Sequence, residues 1–223
     1  MAISDNNPNQ SPKVIGVFGG TFDPVHLGHI KAITTCLTDF NLDKVVVIPC
    51  HDPVHKPDAF VKGKDRLKML ELAFAQEHHI EISDIELVAN QGSYTVDTLA
   101  LLKDKNPADH LVFAMGSDSY LHLHTWHRVD KILSLAHIVV LSRPGHSHQF
   151  NGAFKQSKTS AQVNKSTVFL HQSAGEIILH PIDALDISST QVRKRLQTQM
   201  PVEKYLAPEV IRYIEKASLY KTL

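Results

Sequence analysis

The chain of 223 residues carries 23 Lys and Arg against 23 Asp and Glu, so its formal charge is zero, and 15 histidines stand outside that balance. Neutrality excludes a protein that coats a polyanion through a basic face, yet leaves room for a local anion site. With 43% hydrophobic and 21% charged residues the chain is globular, and its two cysteines, Cys36 and Cys50, fit neither a disulfide framework nor a zinc spacing.

Residues 1–12 are polar and rich in Asn and Pro, which predicts a disordered N-terminal tail without the apolar core of a secretory signal. The expected location is cytoplasmic. Residues 13–223 are expected to form a single domain. The apolar run Val14–Phe18 stops at Gly19-Gly20, a buried strand followed by a turn. Apolar spacing predicts a helix over 27–40, and the β-branched run at 44–48, stopped by Pro49, a second strand. Residues 51–62, with prolines at 53 and 57, form a loop. A helix follows over 64–76, an extended segment over 80–87 and a helix over 94–103 that starts near Thr95. A strand over 110–115 runs into Gly116-Ser117-Asp118. Then come a helix at 129–135 and a strand at 137–141, stopped by Arg143-Pro144-Gly145. Residues 146–165 are a polar surface excursion. Phe169 and Ile177–Leu179 suggest two short strands, and closing helices span 188–196 and 208–216, the second with Pro in its first turn. No apolar run approaches the ~20 residues that span a bilayer. Strands alternating with helices imply an α/β domain, a parallel sheet with helices on both faces and ligand loops at the carboxyl ends of its strands.

The segment with the most chemistry is Gly19-Gly20-Thr21-Phe22-Asp23-Pro24-Val25-His26-Leu27-Gly28-His29. The glycines let a ligand touch the backbone. The opening turn of a helix offers N–H groups and a positive dipole end to phosphate. His26 and His29, three apart, point the same way on that turn. Gly28 leaves space over the backbone for a flat group. The plain alternative is that both imidazoles cap and pack. Near the other end, Ile187-Ser188-Ser189-Thr190-Gln191-Val192-Arg193 places a cap, Ser188 or Ser189, before a helix. Thr190 and Arg193 share one face of it, so hydroxyls, amides and a guanidinium could converge on a polyphosphate. Alone, this string could be a cap and a solvated arginine.

Together, in this order, the two strings resemble the H-x-G-H and I-S-x-T-x-x-R signatures of the nucleotidyltransferase superfamily. Further segments are similar to bacterial nicotinate-nucleotide adenylyltransferases: Val54-His55-Lys56-Pro57, the helix beginning Arg66-Leu67-Lys68, Ser93-Tyr94-Thr95-Val96-Asp97-Thr98-Leu99, Gly116-Ser117-Asp118-Ser119, Thr125-Trp126-His127 and Arg143-Pro144-Gly145. The likeness runs from Val14 to Tyr220. Pro53-Val54 departs from the usual Pro-Pro.

The resemblance implies a Rossmann-like sheet of the nucleotidyltransferase type and transfer of the adenylyl group of ATP to nicotinate mononucleotide. ATP would meet Gly19, Gly20, Thr21, Phe22, His26, His29, Gly116, Ile187, Ser188, Thr190 and Arg193, with His26, His29 and Arg193 acting in the reaction. The mononucleotide would meet Lys56, Tyr94, Thr95, Asp118, Trp126 and His127, with His55 nearby. Trp126 would stack on the nicotinate ring, and backbone N–H groups at Thr95 and His127 would hold its carboxylate; surroundings made only of donors favour the acid over the amide. Asp118 would accept ribose hydroxyls. Mg²⁺ would be bound through the substrate phosphates, with no metal ligand set on the protein. No nucleic acid or membrane partner is expected, and the chain would be a monomer or homodimer. The alternatives are nicotinamide mononucleotide or another phosphorylated acceptor such as pantetheine phosphate, a non-catalytic nucleotide sensor, and a metal module built on His122, His124 and His127.

Overall fold

A computed structural model describes residues 11–51, 61–89, 94–142 and 157–221. Seven parallel strands form one sheet: β1 (Val14–Gly20), β2 (Lys44–Pro49), β3 (Ile80–Ile82), β4 (His110–Gly116), β5 (His137–Ser142), β6 (Lys158–Thr159) and β7 (Ile177–Pro181). Their order is β3-β2-β1-β4-β5-β7-β6. The strands read as nearly unbroken apolar runs because both faces are covered. Alternate residues serve opposite faces. Val14, Phe18, Val45 and Val47 pack with Ile33 of α1 (Leu27–Asp39), Met69 and Leu70 of α2 (Gly63–Ala73), Val192 of α7 (Ser189–Gln197) and Ile214 of α8 (Pro208–Lys216). Ile15, Val17, Val46 and Ile48 pack with Leu99 of α4 (Thr95–Lys105), Tyr120 of α5 (Ser117–Leu121) and Ile132 of α6 (Val129–Leu135). Ile33 and Leu99 are fully buried; truncating either to Ala would cost about 2–5 kcal/mol.

The helices start where the sequence places them. His26 caps α1, Ser188 caps α7 by accepting from Gln191 N–H at 3.2 Å, and Pro208 opens α8. The expected parallel sheet with helices on both faces is present. Two local expectations fail. Residues 80–87 are extended only to Ile82; Ile85–Val88 form one helical turn, α3, closed by Leu87 and Val88 N–H groups on the Asp84 carbonyl at 2.8 and 3.1 Å. Four residues are too few to show a helical period. Phe169 lies in a 3₁₀ turn (Val168–Leu170) rather than a strand, buried against the Phe40 ring with centroids 5.3 Å apart. One apolar residue cannot tell a strand from a buried turn. Within the excursion at 146–165, Lys158 and Thr159 pair with Ile178 and Leu179 as the edge strand β6. The short, exposed, lysine-bearing β6 suits an edge. Helix α5 was not foreseen. The tail at 1–10 and residues 143–156 lie outside the described residues. Among the described residues no helix is long and apolar enough to cross a membrane.

Candidate active site

From β1 the chain runs outward through β2 and β3, then returns to pair β4 on the other side of β1. That reversal opens a crevice beyond the carboxyl ends of β1 and β4, where ligands bind in open parallel sheets. A cleft of about 430 Å³ lies there, lined by Gly19, Gly20, Phe22, Gly116 and Asp118 on one side and Ile187 and Ser188 on the other. A second pocket of about 210 Å³ adjoins it toward α4. Gly19, Gly20, Phe113 and Trp126 line both, so the two form one depression with a glycine floor.

His26 and His29 line the larger cleft and hold each other in place. His29 N–H donates to His26 Nδ1 and His26 N–H to His29 Nδ1, each at 3.3 Å. The rings stack with centroids 3.6 Å apart. A neutral imidazole that accepts at Nδ1 carries its proton on Nε2. Two Nε2–H donors are thereby fixed in one tautomer at the N-terminus of α1, where the helix dipole adds positive potential. Burial and, second, the neighbouring His26 hold His29 well below the ordinary histidine pKa. Two stacked rings cannot both be charged cheaply, which adds to the burial that disfavours charge on His29. Gly28 makes this stack possible: a Cβ there would stand 3.0 Å from His26 Nδ1. The flat group over the Gly28 backbone is thus His26 itself, which sharpens the expectation drawn from sequence.

Helix α7 faces this cap. Of the two serines, Ser188 is the cap and Ser189 Oγ donates to the Pro24 carbonyl at 3.1 Å. Arg193 Nη1 donates to the Asp23 carbonyl at 2.7 Å and Nη2 to Thr190 Oγ1 at 3.1 Å. Arg193 therefore binds the turn before α1 and is itself steadied by Thr190, and neither is among the residues lining the cleft. Thr21 is exposed beside it. Asp23 is buried, and its Oδ1 accepts from Tyr220 OH at 2.5 Å.

On the other side of the depression, Trp126 is half-buried and meets Phe113 edge-on, with centroids 6.0 Å apart. This leaves the indole as a wall of both pockets rather than a core residue. Thr95 lines the smaller pocket as the first residue of α4, so its N–H has no acceptor within the helix. Tyr94 and His127, both exposed, contact each other ring to ring at 4.4 Å. Asp118 is exposed in the first turn of α5. His55 and Lys56 lie outside the described residues. Among the described residues no group of three or more His, Cys, Asp or Glu side chains could hold a metal ion, and His122, His124 and His127 form no such cluster.

Sequence reasoning missed Glu86. Its carboxyl lines the smaller pocket, accepts from Thr98 Oγ1 at 2.7 Å, and is raised in pKa chiefly by burial. A lone Glu in an apolar stretch gives no signal by itself. In the sequence Arg66 stands out only as part of a helix, although it is fully buried; the hint lies in a charge at the i position of an otherwise core-facing stripe.

Comparison with known proteins agrees with this geometry. The cytidylyltransferase-like family matches residues 17–195. A relative from Serratia proteamaculans named probable nicotinate-nucleotide adenylyltransferase is 35% identical over 217 residues, covering 96% of this chain and 99% of its own. One of the same name from Desulfitobacterium hafniense is 38% identical over 218 residues, again covering 96% and 99%. In fold, the chain resembles a solved nicotinic acid mononucleotide adenylyltransferase of Plasmodium falciparum complexed with NaAD, with a TM-score of 0.70 and 23% identity over 93% of this chain and 97% of that one.

Proposed function

The chain belongs to the cytidylyltransferase-like family and, within it, to the nicotinate-nucleotide adenylyltransferases, and from that premise we propose that it transfers the adenylyl group of ATP to nicotinate mononucleotide in NAD biosynthesis. The mononucleotide phosphate attacks the α-phosphorus of ATP. A new P–O bond forms as the bond to the β-phosphate oxygen breaks, giving deamido-NAD and pyrophosphate. The attacking oxygen is already anionic, so no protein nucleophile is required. Catalysis then rests on in-line placement and on stabilising charge at the transferred phosphorus.

The observation that carries this reading is the reciprocal His26–His29 cap, which fixes two neutral N–H donors beside the glycine floor. Such donors act where charge develops and need no reorganisation during reaction. The N-terminus of α7, capped by Ser188, faces them and suits the departing pyrophosphate. Trp126 would take the nicotinate ring on its face, with the N–H groups of Thr95 and His127 toward the carboxylate. Asp118 would accept ribose hydroxyls, and Lys56 and His55 would approach the mononucleotide phosphate. Mg²⁺ would be held by the substrate phosphates and water, as this ion keeps several waters when bound. Such an ion would neutralise charge across the triphosphate.

Nicotinamide mononucleotide is the second reading, because the carboxyl of Glu86 in the smaller pocket could accept from a carboxamide. The reaction itself is tested by incubating the protein with ATP, Mg²⁺ and nicotinate mononucleotide. Stoichiometric pyrophosphate and a dinucleotide product are expected; formation of neither would refute the proposal.

A further inference from the structure

The turn between β1 and α1 is shaped from behind. Phe22 sits at φ 51°, a left-handed conformation unfavourable for a bulky residue, which persists only when the surroundings enforce it. Four of the carbonyls leading into α1 are each held by a donor from another element. Gly20 O accepts from Cys50 N–H at 2.9 Å, Thr21 O from Arg66 Nη1 at 2.8 Å, Asp23 O from Arg193 Nη1 at 2.7 Å and Pro24 O from Ser189 Oγ at 3.1 Å. Arg66 also donates through Nη2 to Cys50 O at 2.8 Å. One guanidinium thus bridges the carboxyl ends of β1 and β2. It is fully buried and lines neither pocket.

A trans peptide is planar, with its C=O and the following N–H pointing in opposite directions. Fixing the Thr21 carbonyl toward Arg66, away from the cleft, therefore aims the Phe22 N–H the other way. Phe22 lines the cleft on the side of His26 and His29. We propose that Arg66 is a positioning residue for the transfer reaction: by holding the Thr21 and Cys50 carbonyls it aims the Phe22 backbone N–H at the phosphate being transferred and ties the carboxyl ends of β1 and β2 together. Lysine cannot replace it, because an ammonium is a point donor while the planar fork serves two carbonyls at once. The proposal rests on the assigned reaction and adds a backbone donor to the two imidazoles.

The test compares the parent protein with Arg66→Lys and Arg66→Met, and with Lys68→Ala on the exposed side of the same helix as control. Turnover of ATP and nicotinate mononucleotide is measured well below the melting temperature and divided by the folded fraction from denaturant unfolding. Per folded molecule, kcat should fall roughly 10- to 100-fold in Arg66→Lys, somewhat less than the loss of a complete transition-state donor. Arg66→Met should fall at least as far, while KM for both substrates moves less than about threefold and Lys68→Ala matches the parent. A purely structural role would lower the melting temperature and leave kcat per folded molecule alone. Should Arg66→Met not fold, Arg66→Lys decides. A kcat within twofold of the parent in Arg66→Lys, or a loss that sits wholly in KM, overturns the proposal. An inactive parent overturns the assigned reaction and this proposal with it, so the two failures are told apart.

Discussion

Two pairs of histidines sit at opposite ends of the same sheet. His26 and His29 lie beyond the carboxyl end of β1; His110 and His137 begin β4 and β5 at the amino end, with rings 6.3 Å apart. In each pair the rings are close and at least partly buried. The difference lies in what the ring nitrogens meet. His137 donates from Nε2 to the Gln172 carbonyl at 3.0 Å and accepts the Glu176 N–H on Nδ1 at 3.2 Å, so both nitrogens serve the fold. Burial is the main reason its pKa drops to about 4. His26 and His29 each place Nδ1 on a backbone N–H and carry their proton on Nε2 at a cleft. His137 thus spends both ring nitrogens on the fold, whereas His26 and His29 build a helix cap that lines the cleft.

This contrast can be broken by substitution. His29→Ala should lower kcat by about 10²–10³ while leaving the fold intact, as expected for loss of a donor to developing charge. Steady-state kinetics and circular dichroism on one preparation would show it. His137→Leu should do the reverse, leaving kcat near the parent value while destabilising the protein by about 2–4 kcal/mol, because two buried backbone groups lose their partner. Urea unfolding measures that cost. If His137→Leu lost activity at low temperature while still folded, the division between the two ends of the sheet would fail.

The pH dependence sharpens the contrast. His137 has its pKa lowered from about 6.5 to about 4, so below neutrality the unfolded chain binds the extra proton first. Its contribution to stability is complete above about pH 6.5 and is lost progressively as the pH falls toward 4, to a total of about 3 kcal/mol. His29 and His180, also lowered chiefly by burial, act in the same direction. His137→Asn should therefore flatten the loss between pH 7 and 5 without abolishing it, as read from melting temperatures across that range. Trp126→Ala should raise KM for the mononucleotide roughly tenfold and barely move that for ATP, since stacking and burial on one face are lost. Ser188→Ala, the mildest change, should cost about 1 kcal/mol of stability through loss of the α7 cap, detectable as a small shift in the unfolding midpoint.

Much of this architecture was legible in the sequence because local and global signals agree. Gly19-Gly20 ends a buried strand, His26-Leu27-Gly28-His29 opens a helix, and Ser188 stands before Ser189-Thr190 as a cap; each is a short-range pattern with a local cause. The resemblance, carried also by Gly116-Ser117-Asp118-Ser119 and Thr125-Trp126-His127, pointed to Gly116, Asp118, Trp126 and Ile187, which line the cleft. What escaped depends on contacts distant in sequence. Arg66 meets Thr21 and Cys50 across 45 and 16 residues, and Tyr220 meets Asp23 across 197. Nothing in the immediate neighbours of any of them announces the partner. Arg193 shows the limit from the other side. Its spacing from Thr190 was read correctly, but its guanidinium turns to the Asp23 carbonyl, a preference set by the turn it packs against. Phe169 and Ile85–Val88 were misread because one apolar residue, or one helical turn, carries no period.

The acid-binding role proposed for the smaller pocket is tested most directly by measuring kcat/KM for nicotinate mononucleotide and nicotinamide mononucleotide side by side, with ATP saturating and pyrophosphate as the readout. A pocket in which the Thr95 N–H, joined by the proposed His127 N–H at its rim, receives the carboxylate predicts a clear preference for the acid. Equal values, or a preference for the amide, would contradict that assignment and hand the pocket to Glu86.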